Sequence, residues 1–207
     1  MIHKILLILI IFNLYNKVMA SNPIEVRADE WCPYNCDPKE DRKGYLIDIL
    51  IKAFGEENIN YETMNWARAI SETKKGTYNA IIGATKDEGR DFIFSQPLGI
   101  NQNCFYSNKN VNLKYAGIDS LKSIKLGIVK DYSYYPELNK YIKLNIENKN
   151  LIDESYGDFV LQKLVKKIQN HDIDAFVEDQ NVVNYYLKIN TYIDFLKKFG
   201  CHNFEYI

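Results

Sequence analysis

The sequence predicts an α/β protein of two lobes, and three observations support this fold class. Short apolar segments typical of buried strands alternate with amphipathic stretches typical of helices, which is the pattern of parallel βαβ units. This alternation occurs twice, and the extended segment 98–107 separates the two series. The length of 207 residues is sufficient for two small hydrophobic cores. We therefore expect lobe 1 over residues 21–97, a hinge strand over 98–107 and lobe 2 over 108–207.

Residues 1–20 have the organisation of a signal peptide. His3 and Lys4 form the positively charged n-region, Ile5–Phe12 is the apolar h-region, and Val18–Ala20 is a small-residue cleavage site. We expect cleavage at the end of this site and export to the periplasm. An uncleaved membrane anchor is the alternative, but the apolar run is shorter than the roughly 20 residues that span a bilayer.

The mature chain is expected to be weakly acidic. The full sequence has 26 Lys and Arg against 27 Asp and Glu, a formal net charge of -1. Removing the signal peptide takes away Lys4 and Lys17 and no acidic residue, so the formal net charge becomes -3. Nucleic-acid binding requires a basic surface, and we therefore expect no nucleic-acid partner.

Four cysteines in an exported protein are expected to form disulfides. Cys32 and Cys36 bracket a short segment, and Cys104 and Cys201 are the other two cysteines. Of the three possible connectivities we favour Cys32–Cys36 with Cys104–Cys201. A redox-active pair is the alternative, although thioredoxin-type pairs have the spacing CxxC. The histidines have no partners at ligand spacing, so we expect no metal and no cofactor.

Lobe 1 is predicted to contain five elements in the order strand, helix, strand, helix, strand. The predicted segments are 24–29, a helix after Gly44, 59–64, 66–76 and 79–83. Such units are right-handed, and ligands bind at the carboxyl ends of their strands.

The polar turn after the strand 79–83 contains the first candidate site. Arg90 offers five donors in a planar fork, and Thr85 offers a hydroxyl five residues earlier. This pair is suited to binding a carboxylate. The alternative is a surface arginine beside Asp87 and Glu88.

Aromatic residues follow two other predicted strands on the same side of the sheet. Trp31 and Tyr34 lie in the loop after the first strand, and Trp66 and Arg68 begin the second helix. They are candidates for the wall of a ligand site. The alternative for Trp31 and Tyr34 is packing within the loop, and one member of the second pair is open to a purely structural role.

Lobe 2 is predicted to repeat the α/β pattern. Its predicted elements are a short helix 118–121, a strand 124–129, a helix 132–142, a strand 150–153, a helical stripe 156–168, a strand 172–177 and a mostly helical segment 181–196. Two such lobes form a cleft between them, which is a common position for a small-molecule site.

Six segments in this order give the sequence a family resemblance. They are RADEWCPYN, KGYLIDIL, NWARAI, GTYNAIIGATKDEGRDFIFSQP, SLKSIKLGIVKDYSY and DIDAFVEDQNV. Over residues 24–207 the chain resembles the family 3 extracellular solute-binding proteins, the periplasmic receptors of polar amino acid uptake systems. The resemblance implies a two-lobed, type II periplasmic-binding fold that closes over its ligand by a hinge.

The resemblance also implies roles for individual residues. Arg90 matches the arginine that binds the ligand α-carboxylate, with Thr85 adjoining, and Asp179 matches the aspartate that accepts the α-amino group. The backbone N–H groups of residues 131–133 suit an anionic group, because they begin a predicted helix. Their bulky side chains depart from the small residues of the family.

Two further expectations follow from the resemblance. Trp31 matches an aromatic residue that stacks on the ligand, and Trp66 and Arg68 match a segment that shapes the side-chain pocket. Family members also close lobe 1 with C-terminal helices. We therefore expect a chain that is truncated after its second crossing strand begins and that exposes apolar surface on lobe 1.

The function that the resemblance implies is capture of an amino acid or similar small polar carboxylate by a monomeric receptor, which delivers it to an ABC transporter permease. An enzyme on the same fold, similar to cyclohexadienyl dehydratases, is one alternative, with Glu30 or Glu178 as the candidate general acid. A ligand-sensing domain is another. No nucleophile and base pair accompanies Arg90 and Asp179, so we expect a binding protein rather than an enzyme.

Overall fold

The computed structural model of the protein describes residues 22–86, 88 and 91–207. The predicted signal peptide and Arg90 lie outside the described residues. Within those that are described, no helix is long and apolar enough to cross a membrane.

Lobe 1 is built on a parallel sheet of three strands in the order β2-β1-β3. Its elements are β1 (Ile24–Ala28), α1 (Tyr45–Phe54), a short 3-10 turn (Glu56–Asn58), β2 (Ile59–Thr63), α2 (Trp66–Lys74) and β3 (Ala80–Ile81). The helix α1 buries Leu46 and Ile47 against the sheet. The Asn65 side chain caps the start of α2 by accepting a hydrogen bond from the backbone N–H of Arg68. This cap places Trp66 at the edge of the sheet that faces lobe 2.

Lobe 2 contains a mixed sheet of five strands in the order β7-β6-β8-β5-β9. Its elements are β5 (Asn103–Asn108), a 3-10 turn (Ile118–Leu121), β6 (Leu126–Val129), α3 (Pro136–Asn145), β7 (Ile152–Ser155), α4 (Val160–Gln169), β8 (Ala175–Asp179), α5 (Gln180–Ile189) and β9 (Leu196–Cys201). The strands β6, β7 and β8 are parallel, and β5 runs antiparallel to both β8 and β9. The two-lobed α/β architecture predicted from the sequence is therefore confirmed.

Two short strands lie where the chain passes between the lobes. β4 (Ile100–Asn101) pairs antiparallel with β10 (Glu205–Tyr206). Within the predicted hinge segment 98–107, only β4 belongs to this pair, because β5 is an inner strand of the lobe 2 sheet. Crossing segments of this kind allow two lobes to rotate about a few backbone dihedrals.

The predicted helix over residues 181–196 is too long. The helix α5 ends at Ile189, and the chain turns at Asn190 before β9 begins at Leu196. Pairing with β5 accounts for the difference, since the backbone groups of residues 196–201 form a ladder with that strand. The predicted strand over 79–83 is likewise shorter, as only Ala80 and Ile81 pair with β1.

An apolar groove runs along lobe 1. It encloses about 870 Å³, and its lining includes Ile24, Ile81, Phe92, Phe94 and Ile207. Among the other residues of this lining, Phe54 and Ile93 are 52% and 103% exposed.

Both disulfides have the expected connectivity. Cys32 is bonded to Cys36, and Cys104 is bonded to Cys201. The first closes the short segment that directly follows Trp31, and the second joins directly opposed residues of β5 and β9. The second bond therefore fixes the strand that leads back towards lobe 1.

The two disulfides should differ in their effect on stability because they close loops of different length. The sequence separation is 97 residues for Cys104–Cys201 and 4 for Cys32–Cys36. Chain-entropy arguments give about 5 kcal/mol for the long loop and about 2 kcal/mol for the short one. Urea unfolding of the two double Cys→Ala variants should rank them in that order. Equal losses, or a larger loss for the short loop, would contradict this reasoning.

Candidate functional site

A polar cleft lies between the carboxyl ends of the lobe 1 strands and the facing edge of lobe 2. Its inner part is a cavity of about 30 Å³, and its outer part is a cavity of about 270 Å³. Both cavities are lined by Asp29, Trp66 and Tyr132. These positions follow β1, begin α2 and follow β6, so the site lies where parallel sheets place ligand sites.

Trp31 immediately precedes the segment closed by the Cys32–Cys36 disulfide, and Tyr34 lies inside that segment. Their rings stack with centroids 4.3 Å apart. Trp31 lines the inner cavity, whereas Tyr34 lies behind it and is fully buried. The Tyr34 hydroxyl donates to the carbonyl of Ile100 and accepts from the side chain of Asn181. Tyr34 is thus placed as a packing residue that joins the two lobes, not as part of the cavity wall.

Two adjacent acidic residues end β8 and make different contacts. The carboxylate of Asp179 accepts hydrogen bonds from the backbone N–H groups of Gln102, Asn181 and Val182, at 2.7, 2.7 and 3.1 Å. Asp179 is therefore the N-cap of α5. Glu178 lines the inner cavity and accepts from the indole N–H of Trp31 at 3.0 Å. Of these two adjacent acids, Glu178 is the one that lines the cleft.

A second bond across the cleft joins Asp29 to Tyr132. The Tyr132 hydroxyl donates to Oδ2 of Asp29. The Tyr132 ring also meets the Trp66 ring edge to face, with centroids 6.4 Å apart. These contacts hold the loop after β6 against lobe 1.

Glu88 makes the third connection, and it has the most hydrogen bonds. Oε2 accepts from the backbone N–H and the hydroxyl of Thr85, at 2.8 and 3.1 Å. Oε1 accepts from the indole N–H of Trp66 at 3.2 Å and from the backbone N–H of Ser133 at 3.1 Å. Donors of both lobes therefore converge on one carboxylate.

Burial of these acids changes their protonation. Desolvation raises the pKa of Asp29 to about 7 and that of Glu178 to about 8, and it also raises the pKa of Glu88. The carboxylates repel one another as well, although hydrogen bonds from Tyr132, Trp31 and Thr85 oppose the shifts. The cleft therefore releases protons in the neutral range.

The structure brings some of the predicted site residues together and separates others. Thr85, Trp31 and Trp66 line the inner cavity. Arg68 is exposed on α2 and is not among the described lining residues. The role of Arg90 stays a prediction, since it lies outside the described residues.

Several side chains that line the cleft are not predicted from the sequence, among them those of Asp29, Glu88 and Tyr132, although the backbone of residues 131–133 is a predicted anion site. Asp29 ends the first predicted strand, Glu88 stands in a polar turn, and Tyr132 follows a strand of lobe 2. Position at a strand end was the available signal for Asp29 and Tyr132. Among residues 22–86, 88 and 91–207, no group of three His, Cys, Asp or Glu residues is arranged to hold a metal ion.

The raised pKa values predict that the protein loses stability as the pH rises. Between the unfolded value near 4 and the folded values near 7 and 8, the folded state binds more protons than the unfolded state. The free energy of unfolding should therefore fall by up to about 1.4 kcal/mol per pH unit for each acid. Urea unfolding from pH 5 to pH 8 measures this slope, and Glu178→Gln should make it shallower.

The exposed residue Glu147 provides the matched control. Glu147→Gln should leave the slope as it is in the wild type. A stability that rises over this range, or an equal slope in Glu178→Gln, would contradict the assignment.

Comparisons with known proteins identify the fold. No protein-family model matches the sequence, and the search of curated proteins gives no significant match. Solved structures do match. An ABC uptake transporter substrate-binding protein from Streptococcus pneumoniae with bound histidine aligns with a TM-score of 0.73 and 20% identity, over 93% of this chain and 80% of that chain.

Two other structures match to a similar degree. An arginine-bound mutant of ArgBP from T. maritima has a TM-score of 0.70 and 13% identity, over 90% of this chain and 85% of that chain. A histidine kinase sensor domain with similarity to periplasmic binding proteins has a TM-score of 0.70 and 16% identity, over 89% of this chain and 81% of that chain. The chain therefore has the two-lobed fold of the periplasmic solute-binding proteins.

Proposed function

We propose that the protein is an exported receptor that captures an amino acid or a related small polar solute between its lobes and delivers it to an ABC transporter. The single observation that carries this proposal is the polar cleft whose two walls come from different lobes. Trp31, Trp66 and Thr85 face Ser133 and Glu178 across it. A ligand held there contacts both lobes, and its binding energy therefore favours the closed arrangement.

The structural neighbours support a binding role. Two of the three matched proteins described above are a histidine-bound substrate-binding protein and an arginine-bound protein. The low sequence identity means that the ligand must be argued from the residues of this cleft. We propose that the protein is a monomer that binds a permease. We also propose that residues 1–20 direct its export.

A ligand-sensing domain is the second candidate. The sensor domain of a histidine kinase matches this chain as well as the transport proteins do, with a TM-score of 0.70. Both candidates require ligand capture in the same cleft. They differ in the partner, so co-purification from the native membrane with a permease rather than a kinase separates them.

Intrinsic fluorescence gives a direct test of ligand capture. The chain has 2 tryptophans, and both line the inner cavity. Titration with the common amino acids and simple amines should change the emission for at least one compound, and calorimetry should confirm its affinity. Trp66→Phe leaves Trp31 as the single reporter.

The variant Glu178→Gln replaces the carboxyl group of the lobe 2 wall by an amide that cannot ionise when a ligand binds, and it keeps an acceptor for Trp31. Affinity for the compound that binds should fall by about tenfold or more, because a charge-assisted hydrogen bond is lost. Asp119→Ala changes an exposed acid on the far side of lobe 2 and should leave affinity unchanged. Failure of the whole panel to bind the folded, exported protein would refute the proposed function.

A further inference from the structure

Four described donors of the cleft that would suit a ligand carboxylate are already used by a carboxylate of the chain itself. The two Thr85 donors, the Trp66 indole and the Ser133 backbone N–H all point at Glu88. These donors include the hydroxyl and the backbone N–H group that the sequence suggested for an anion. A ligand carboxylate would have to displace Glu88 from all four hydrogen bonds before it could use them.

The rest of the inner cavity offers acceptors. Its acidic side chains are Glu88, Asp29 and Glu178, and no basic side chain is among its described lining residues. Trp31 and the backbone N–H of Asp179 both donate to Oε1 of Glu178, so a ligand donor would use the other carboxylate oxygen, Oε2. The described lining therefore favours a positively charged donor.

Two buried side-chain amide oxygens in the inner cavity also lack a hydrogen-bond donor among the described residues. Asn35 is 1% exposed and Asn101 is 6% exposed, and both line the inner cavity. Within the described part of the chain, no donor reaches Oδ1 of either residue. Buried acceptors are nearly always satisfied in folded proteins. A bound group that donates several hydrogen bonds would satisfy these two.

The outer cavity is also lined by several acidic residues. Its lining adds Glu30, Asp37 and Asp158 to Asp29, and Lys130 is the basic residue among the described lining. Tyr156 and Phe159 stand at the mouth and are 66% and 61% exposed. Aromatic faces and carboxylates together suit the stem and charge of an organic cation. The inner cavity of about 30 Å³ has room for one ammonium group.

We propose that the cleft selects an alkylammonium ion without a carboxylate, with Glu88 occupying the place that the carboxylate of an amino acid would take. The ammonium group lies in the inner cavity among Glu178, Asn35 and Asn101, and the alkyl stem extends past Trp66 into the outer cavity. This inference rests on the proposed function, since it names the ligand class of the same cleft.

Matched pairs of ligands test the inference. Cadaverine and lysine, histamine and histidine, and agmatine and arginine differ within each pair only by the carboxylate. In the wild type the amine should bind about tenfold or more tightly than its parent amino acid, in calorimetry and by tryptophan fluorescence. In Glu88→Ala the four donors become available to a ligand carboxylate, so this preference should fall by about tenfold or reverse.

Two further variants control the result. Glu88→Gln keeps the shape of the side chain and removes its charge, and it should shift the preference in the same direction by a smaller factor. Asp119→Ala should keep the wild-type preference. Circular dichroism and thermal unfolding establish that each variant is folded, and the wild-type comparison holds even where Glu88→Ala does not fold.

The outcomes separate this inference from the proposed function. Tighter binding of the amino acids by the wild type would overturn the inference and leave the proposed function in place. An unchanged preference in a folded Glu88→Ala would also overturn it. Absence of binding by every compound would overturn both.

Discussion

The closed arrangement of the two lobes depends on one constraint: carboxylates that lose water in the cleft must find donors on the opposite lobe. Glu88 of lobe 1 accepts from Ser133 of lobe 2, and Glu178 of lobe 2 accepts from Trp31 of lobe 1. Tyr132 of lobe 2 donates to Asp29 of lobe 1. Each bond offsets a desolvation cost that the acid would otherwise carry alone. The lobes are therefore joined by polar contacts whose strength depends on protonation, and beside them Val182 of lobe 2 packs into the core of lobe 1.

The fold could be predicted from the sequence because its signals are local. Each apolar strand, each amphipathic helix and the change of pattern after residue 97 can be recognised from a short segment of sequence. The predicted short helix 118–121 has the same bounds as the observed 3-10 turn Ile118–Leu121. The end of α5 could not be predicted in the same way. Residues 190–196 continue an apolar pattern, and the strand that follows exists because of pairing with β5, which is 88 or more residues earlier in the chain.

The candidate site was predicted in outline and differs in its details. Trp31, Trp66 and Thr85 line one cavity, since the topology of parallel sheets gathers positions that follow strands at one edge, and their role in ligand binding stays a prediction. The distinction between Asp179 and Glu178 required the structure. Both residues end β8, and whether a carboxylate caps a helix or faces a cavity depends on the direction of a single side chain. The position of Glu88 likewise required tertiary structure, because its donors come from three separate segments.

The carboxylate of Glu88 occupies donors of the cleft that a ligand carboxylate would otherwise use. A crystal structure of the protein with cadaverine tests this most directly. The account predicts that Glu88 keeps its hydrogen bonds to Thr85 and Ser133 while an ammonium group of the ligand lies within hydrogen-bond distance of Glu178 and of Oδ1 of Asn35 or Asn101. A structure in which Glu88 has left these donors, with the ligand bound elsewhere in the cleft, would contradict it.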